Sequence, residues 1–228
     1  MHARFVGDEP STAFVESVQK AGAYLVPTFS IADALLIAHE PERLDNPLVQ
    51  LSVPTVELKT ARDPNAWVFL ARAFARGRLG PGATEEAVQE TAGIIATLNW
   101  ARERLRKDQD AVRRMHQAGV PIVLGSDSGN WPIIPYEFHG PTTIRELQLM
   151  EQAGLTKMEV IEAATRVAAE MLGIIGDVGT VEVGKQADLL ILSSNPLDDL
   201  SAFHNIVWTV RAGIARTPEQ WMASSVLD

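Results

Sequence analysis

Ile122-Val123-Leu124-Gly125-Ser126-Asp127-Ser128-Gly129 is the stretch on which the reading of this chain turns. A continuous apolar run ends abruptly in Gly-Ser-Asp-Ser-Gly. That pattern suggests a buried parallel strand delivering one carboxylate into the loop at its C-terminal end. In α/β sheets, open or closed, ligands and chemistry collect at that end. Asp127 is therefore the first candidate catalytic residue. The same pattern has a structural reading, because Asp and Ser commonly form turns and caps after a strand, and the local sequence alone does not separate the two.

Upstream of this stretch, Thr84-Glu85-Glu86 opens a long helical pattern that runs to about Ala118 and ends at Gly119, with Thr84 as a cap and acidic residues in the first turn. Earlier still, Ser11 to Gly22 reads as a capped helix, followed by a short strand, Ala23-Tyr24-Leu25-Val26, stopped by Pro27. Ala32 to Ala38 suggests a short helix. The interval from Pro41 to Asn65 contains Pro41, Pro47, Pro54 and Pro64 with little periodicity, and is expected to be a loop-rich surface stretch. Ala66 to Ala75 is amphipathic and precedes a turn from Gly77 to Gly82. Strands alternating with helices predict an α/β fold with parallel pairing.

Downstream of Asp127 comes an aromatic and proline-rich loop with Trp131, Tyr136, Phe138 and His139, then helical segments over about 142–153, 157–165 and 167–172. Gly176, Gly179 and Gly184 mark a change of character. Asp188 to Leu192 and Ile206 to Val210 read as strands of a small β-rich appendage.

Composition narrows the function classes. The 228 residues are 46% hydrophobic and 21% charged, with a net charge of -9. No dense basic patch exists: Arg102 to Lys107 is interleaved with Glu103 in a helical context, so nucleic acid is not an expected partner. No apolar run reaches the roughly 18 residues of a membrane span. Without cysteine, disulfides and thiolate metal sites are excluded, and any metal must be held by His, Asp, Glu or main-chain oxygen. G-x-S-x-G, P-loop and G-x-G-x-x-G motifs are absent. His39-Glu40-Pro41 begins like a zinc-protease helix but lacks the second histidine. Judged locally, His139 reads as a loop histidine, while His116 and His204 read as structural. Trp67, Phe69, Phe74 and Trp100 read as core or lid packing.

Taken in order, several blocks are similar to one family. They are Ala118 through Gly129; His139-Gly140 with Arg145-Glu146-Leu147 and Ala153-Gly154-Leu155-Thr156; Ala163-Ala164-Thr165; Val178 through Leu189; and Asn195-Pro196-Leu197-Asp198. The ordered set resembles the C-terminal portion of a metal-dependent amidohydrolase of the imidazolonepropionase-like and Xaa-Pro dipeptidase-like branch. His2 and the segment from Val15 to Thr28 extend the likeness upstream.

The resemblance implies a partial (β/α)8 TIM barrel of about strands six to eight over residues 1–175, followed by a β-rich part over 176–228. It implies hydrolysis of an amide, dipeptide or cyclic amide C–N bond by metal-activated water in the complete enzyme. One or two divalent metals, usually zinc, are the implied cofactor. Asp127 would take the strand-eight position, as catalytic carboxylate and metal ligand. His2 would be a metal ligand after strand six, and His139 would face the substrate. The family's strand-one His-x-His, strand-four lysine and strand-five histidine have no counterpart here, so weak metal binding is expected of this chain alone. An inactive truncated fragment, or a subunit that needs a complementing N-terminal chain, is the alternative. Expected partners are a small-molecule substrate and a homo-oligomer or that complementing chain. The default compartment is cytoplasmic, with secretion or a periplasmic location left open.

Overall fold

The computed structural model describes residues 10–129, 134 and 136–225. Its organising feature is the meeting of two extended segments. The Leu25 N–H donates to the Pro121 carbonyl at 2.9 Å, and the Val123 N–H donates to the Leu25 carbonyl at 2.9 Å. Leu25 thereby pairs in parallel with Ile122. Both side chains are buried, as expected of apolar runs covered by helices on a parallel pair. The pairing is a single bridge, and it is anchored at the far side by the Leu124 N–H on the Ala163 carbonyl at 3.1 Å.

The first helix, α1 (Thr12–Lys20), starts where Ser11 accepts a hydrogen bond from the Phe14 N–H at 3.2 Å. It closes at Gly22, whose φ of 60° suits a glycine after a helix. Val15 and Val18 face the core. After the Leu25 segment comes α2 (Ser30–Ile37), every residue of which is buried.

The interval from Pro41 to Asn65 is not the loop-rich surface stretch expected of it. It is a short 3₁₀ turn (Pro41–Asp45), α3 (Pro47–Ser52), α4 (Thr55–Ala61) and the start of α5 (Pro64–Leu79). Proline at the first helical position costs no hydrogen bond, because that N–H has no intrahelical partner anyway. Asn46 and Asp63 cap the Pro47 and Pro64 helices, accepting from the N–H of Leu48 and of Asn65, each at 2.9 Å. Leu44, Val49, Val53, Leu58 and Ala61 are buried in the main core, so the interval is also not superficial.

The long helical pattern is likewise two helices, α6 (Glu85–Ile95) and α7 (Leu98–Gln117). Thr97 interrupts it, leaving the helix to cap α7 by accepting from the Trp100 N–H at 3.2 Å. Ala71, Ala75, Val88, Ala92 and Ile95 form a small second core between α5 and α6. Trp67, Phe74 and Trp100 pack against the main core, whereas Phe69 is exposed.

Past the strand-end loop come α8 (Pro141–Gln152), α9 (Lys157–Ala164) and α10 (Arg166–Met171). A reciprocal capping box between Thr156 and Glu159 starts α9. The C-terminal part is a three-stranded antiparallel sheet in the order β1 (Leu189–Leu192), β2 (Ile206–Arg211), β3 (Ile214–Arg216). The first two strands fall where the apolar runs place them. The third, and α11 (Pro218–Ser225) after it, are additions. The Arg216 guanidinium stacks 4.6 Å from the Trp221 ring, whose Nε1–H reaches the Thr209 carbonyl at 3.1 Å. Among the described residues no helix is long and apolar enough to cross a membrane.

A Cβ at Gly125 would run into Cγ1 of Val26, the neighbour of Leu25. Valine is stiff at χ1 and cannot swing away cheaply. Gly125→Ala should therefore lower stability by about 1–3 kcal/mol through overpacking, read as a shifted denaturation midpoint. An unchanged midpoint would show that the two segments do not approach this closely.

Candidate active site

Both extended segments end in an unusual backbone turn. Thr28, after the Leu25 segment, has φ 53°, and Asp127, after Leu124, has φ 52°. Left-handed backbone is rare for residues with a Cβ and most costly for β-branched ones, so surrounding structure must hold it. Asp127 is half-buried.

The holding structure is a web of hydroxyls and main-chain groups around Ser126. The Ser30 hydroxyl, at the start of α2, donates to the Ser126 carbonyl at 2.7 Å. The hydroxyls of Ser126 and Ser128 lie 2.8 Å apart, and Ser128 donates onward to the Phe138 carbonyl at 3.2 Å. The Gly129 N–H donates to the Glu137 carbonyl at 3.2 Å. The Phe138 N–H is satisfied by the Thr142 hydroxyl at 2.8 Å. The strand end, α2 and the loop entering α8 are thus tied together at one place.

His139 belongs to this cluster. Its Nε2 lies 2.7 Å from where a Cβ of Gly129 would stand. Its φ of 94° favours glycine there, while the exposed imidazole could shift to relieve the contact. The structure therefore brings the loop of His139 against the loop of Asp127. The imidazole side chain is exposed, where a ligand could reach it. His2 and Trp131 lie outside the described residues. His116, on α7, lies 3.3 Å from Glu159, and His204 sits far along the chain in a 3₁₀ turn (Leu200–His204).

Beneath the cluster is a residue that local patterning did not single out. Glu146, on α8, is fully buried, with Oε1 accepting from the Phe29 N–H at 2.9 Å and Oε2 from the Ser30 N–H at 2.8 Å. Burial pushes its carboxyl up to about 8, against the two N–H donors, and the nearby Asp33 adds to the rise. Asp33, one turn along α2, is also buried and takes the guanidinium of Arg145 at 2.8 Å and 3.1 Å, together with Arg43. Burial raises the Asp33 carboxyl, but Arg145 and then Arg43 outweigh it and hold the group below its ordinary value. One signal for Glu146 was in the sequence. Thr142, Glu146, Leu149, Met150 and Ala153 share one helical face, and all are buried.

Carboxylate and imidazole are the donor types that divalent metals take in the absence of cysteine. Among the described residues no three His, Asp or Glu side chains group closely enough to hold an ion. Asp127 fits one coordination position, and these residues alone do not make a metal site.

Parallel-paired segments linked through helices, with a carboxylate in the loop after one of them, are an α/β arrangement. The chain belongs to the amidohydrolase family, whose model matches residues 55–214. That family is in general metal-dependent. Over 120 residues the chain is 32% identical to an ochratoxinase of Aspergillus niger, covering 52% of this chain and 22% of the relative. Over 82 residues it is 38% identical to an imidazolonepropionase of Symbiobacterium thermophilum, covering 36% of this chain and 18% of the relative. The fold is similar to a Xaa-Pro dipeptidase solved with bound methionine, at TM-score 0.57 and 22% identity over 91% of this chain and 37% of that one. It is also similar to the solved A. niger ochratoxinase, at TM-score 0.54 and 20% identity over 95% of this chain and 36% of that one. The chain spans about a fifth of the length of these curated relatives.

Because the Glu146 carboxyl is raised from 4.5 to about 8 in the folded chain, the fold retains a proton that the unfolded chain releases. Stability from this group is complete below about pH 4.5 and falls as pH rises towards 8. Denaturation midpoints measured from pH 4.5 to 8.5 should show that decline, and Glu146→Gln should flatten it. Glu146→Ala should cost about 3 kcal/mol at the acid end of this window, since two buried N–H groups lose their acceptors, and progressively less as pH rises. An equal slope in wild type and Glu146→Gln would show that Glu146 does not hold the proton.

Proposed function

We propose that this chain forms about strands six to eight of an amidohydrolase that hydrolyses an amide, dipeptide or cyclic amide C–N bond of a small molecule. The observation that carries the reading is Asp127, half-buried and held in a left-handed turn at the end of the strand paired with Leu25, with the His139 loop against it. Family membership supports it. On this reading residues 1–175 are a partial (β/α)8 barrel and residues 176–228 a separate β-rich part.

Asp127 accepts a proton from the attacking water and passes it to the nitrogen that leaves as the C–N bond breaks. A short carboxylate on a fixed turn suits that transfer, because the acceptor must not wander from the attacking oxygen. His139, exposed beside it, is placed to contact the substrate's carbonyl or polar end. A bound divalent metal, zinc by the family resemblance, would lower the pKa of its water towards neutrality, with Asp127 and His2 among its ligands. Ser30, Ser126 and Ser128 keep the turn in place.

A second reading rests on the absence of a three-ligand group among the described residues. In that reading these residues hold no metal by themselves, and the other ligands of the site come from sequence outside them. The two readings part in one experiment. The protein is incubated with zinc and a panel of Xaa-Pro dipeptides and N-acyl amino acids, and zinc content is measured alongside turnover. The first reading expects turnover that falls at least about 10²-fold in Asp127→Asn. Undiminished turnover in that variant removes Asp127 from the mechanism. Absence of both turnover and retained zinc supports the second reading.

A further inference from the structure

The Asp127 turn is held on its N-terminal side by a hydroxyl that faces two acceptors. Ser30 Oγ donates to the Ser126 carbonyl at 2.7 Å. That carbonyl belongs to the planar peptide unit joining Ser126 to Asp127, so its direction sets the plane from which the Asp127 φ of 52° departs. On the other side of the turn the Gly129 N–H donates to the Glu137 carbonyl at 3.2 Å. The Ser30 hydroxyl also lies close enough to the buried Glu146 carboxyl to act on it as a donor, favouring its charged form. A hydroxyl has one proton to give.

Glu146 is tied to the same residue through the main chain, its Oε2 accepting the Ser30 N–H at 2.8 Å. Burial raises this carboxyl to about 8, so both of its charge states are within reach near neutral pH. The charged groups around it are Asp33 on α2, Arg145 beside it on α8 and Arg43 from the 3₁₀ turn. The two arginines hold Asp33 below its ordinary value and keep it ionised. The loops beyond Ser126 carry two more titratable groups, Asp127 and His139. A neutral Glu146 competes weakly with the Ser126 carbonyl for the Ser30 proton. A carboxylate competes strongly, since hydrogen bonds to a charged acceptor are about twice as strong as neutral ones.

We propose that Glu146 is a positioning residue for Asp127, acting through Ser30: protonated, it leaves the Ser30 hydroxyl on the Ser126 carbonyl, and ionised, it draws that hydroxyl away. Without the Ser30 bond the peptide before Asp127 is free to turn, and the left-handed backbone relaxes towards ordinary geometry. The consequence for catalysis rests on the hydrolytic reading, in which Asp127 transfers a proton from a fixed position. The switch itself belongs to the folded chain and is measured without turnover.

The test is NMR of the 228-residue chain from about pH 6 to about pH 10, following the Glu146 carboxyl carbon, the Ser126 carbonyl carbon and the Asp127 amide. All three should shift together with a midpoint of about 8. Glu146→Gln stays neutral and should abolish the transition at Ser126 and Asp127. In Ser30→Ala, which leaves the buried carboxyl untouched, Glu146 should still titrate while Asp127 no longer follows it. Asp127→Asn and His139→Asn should each leave the Ser126 and Glu146 transitions in place, which separates them from the ionisation of those two groups. In a turnover assay, kcat should fall above about pH 8 in wild type and hold in Glu146→Gln, with KM unchanged in both. A Ser126 carbonyl that stays still while Glu146 titrates overturns the proposal. So does an Asp127 transition that survives in Glu146→Gln or in Ser30→Ala. Coupled shifts without turnover uphold the switch and count against the hydrolytic reading alone.

Discussion

The contact on which the rest of the structure depends is the buried carboxyl of Glu146 against the first turn of α2. Every helix starts with N–H groups that lack intrahelical acceptors, and they are usually satisfied by a side chain at the helix's own start. Helix α2 has no such cap, and Phe29 before it makes no side-chain bond of that kind. Its donors are instead satisfied from α8, by an acid 117 and 116 positions further along the chain. A helix that is incomplete on its own is thereby completed only when α8 docks. Arg145, the neighbouring residue, grips Asp33 one turn further along, so two adjacent side chains fix both the height and the rotation of α2. Ser30 then passes that position on to the Ser126 carbonyl, next to Asp127.

Much of the fold was readable because the governing signals were local. Ser11 and Gly22 bound α1, Thr156 and Glu159 start α9, and the apolar runs of β1 and β2 are short and flanked by turns. The failures share a cause. Proline was read as breaking helices from 41 to 65, when at a first helical position it begins them, and Asn46 and Asp63 just before are the cue. Thr97 falls inside a stretch whose pattern suggests one long helix, but its hydroxyl serves better as a cap. In both places short capped helices with buried faces stand where a loop or one long helix was expected.

The candidate site was legible to a smaller degree. Asp127 stood out because an apolar run followed by Gly-Ser-Asp is a visible break, and His139 because it repeats a family block. Glu146 was quoted within such a block without a role. Its burial depends on acceptors wanted by α2, far away in sequence, and no local pattern encodes that need. The Ser126 and Ser128 hydroxyls were read as turn formers, which they are. That they also tie the turn to the His139 loop depends on the path of residues 136–142, which composition does not fix.

The left-handed turns at Thr28 and Asp127 bear on why an aspartate stands at 127. A residue with φ near 50° gives up about 1 kcal/mol relative to ordinary backbone, and glycine would avoid that cost. Gly125 and Gly129 flank the position, so glycine was available to this loop. Aspartate is among the non-glycine residues that tolerate the region best, and threonine, at 28, tolerates it poorly. The same strain at the ends of two paired segments, held by hydroxyl and main-chain bonds on either side, is not what a plain turn needs. It is what a fixed carboxylate needs, because a left-handed residue stabilised from both sides has few neighbouring conformations to relax into. On the proposed reading, that held backbone gives the Asp127 carboxylate a fixed position from which to take a proton.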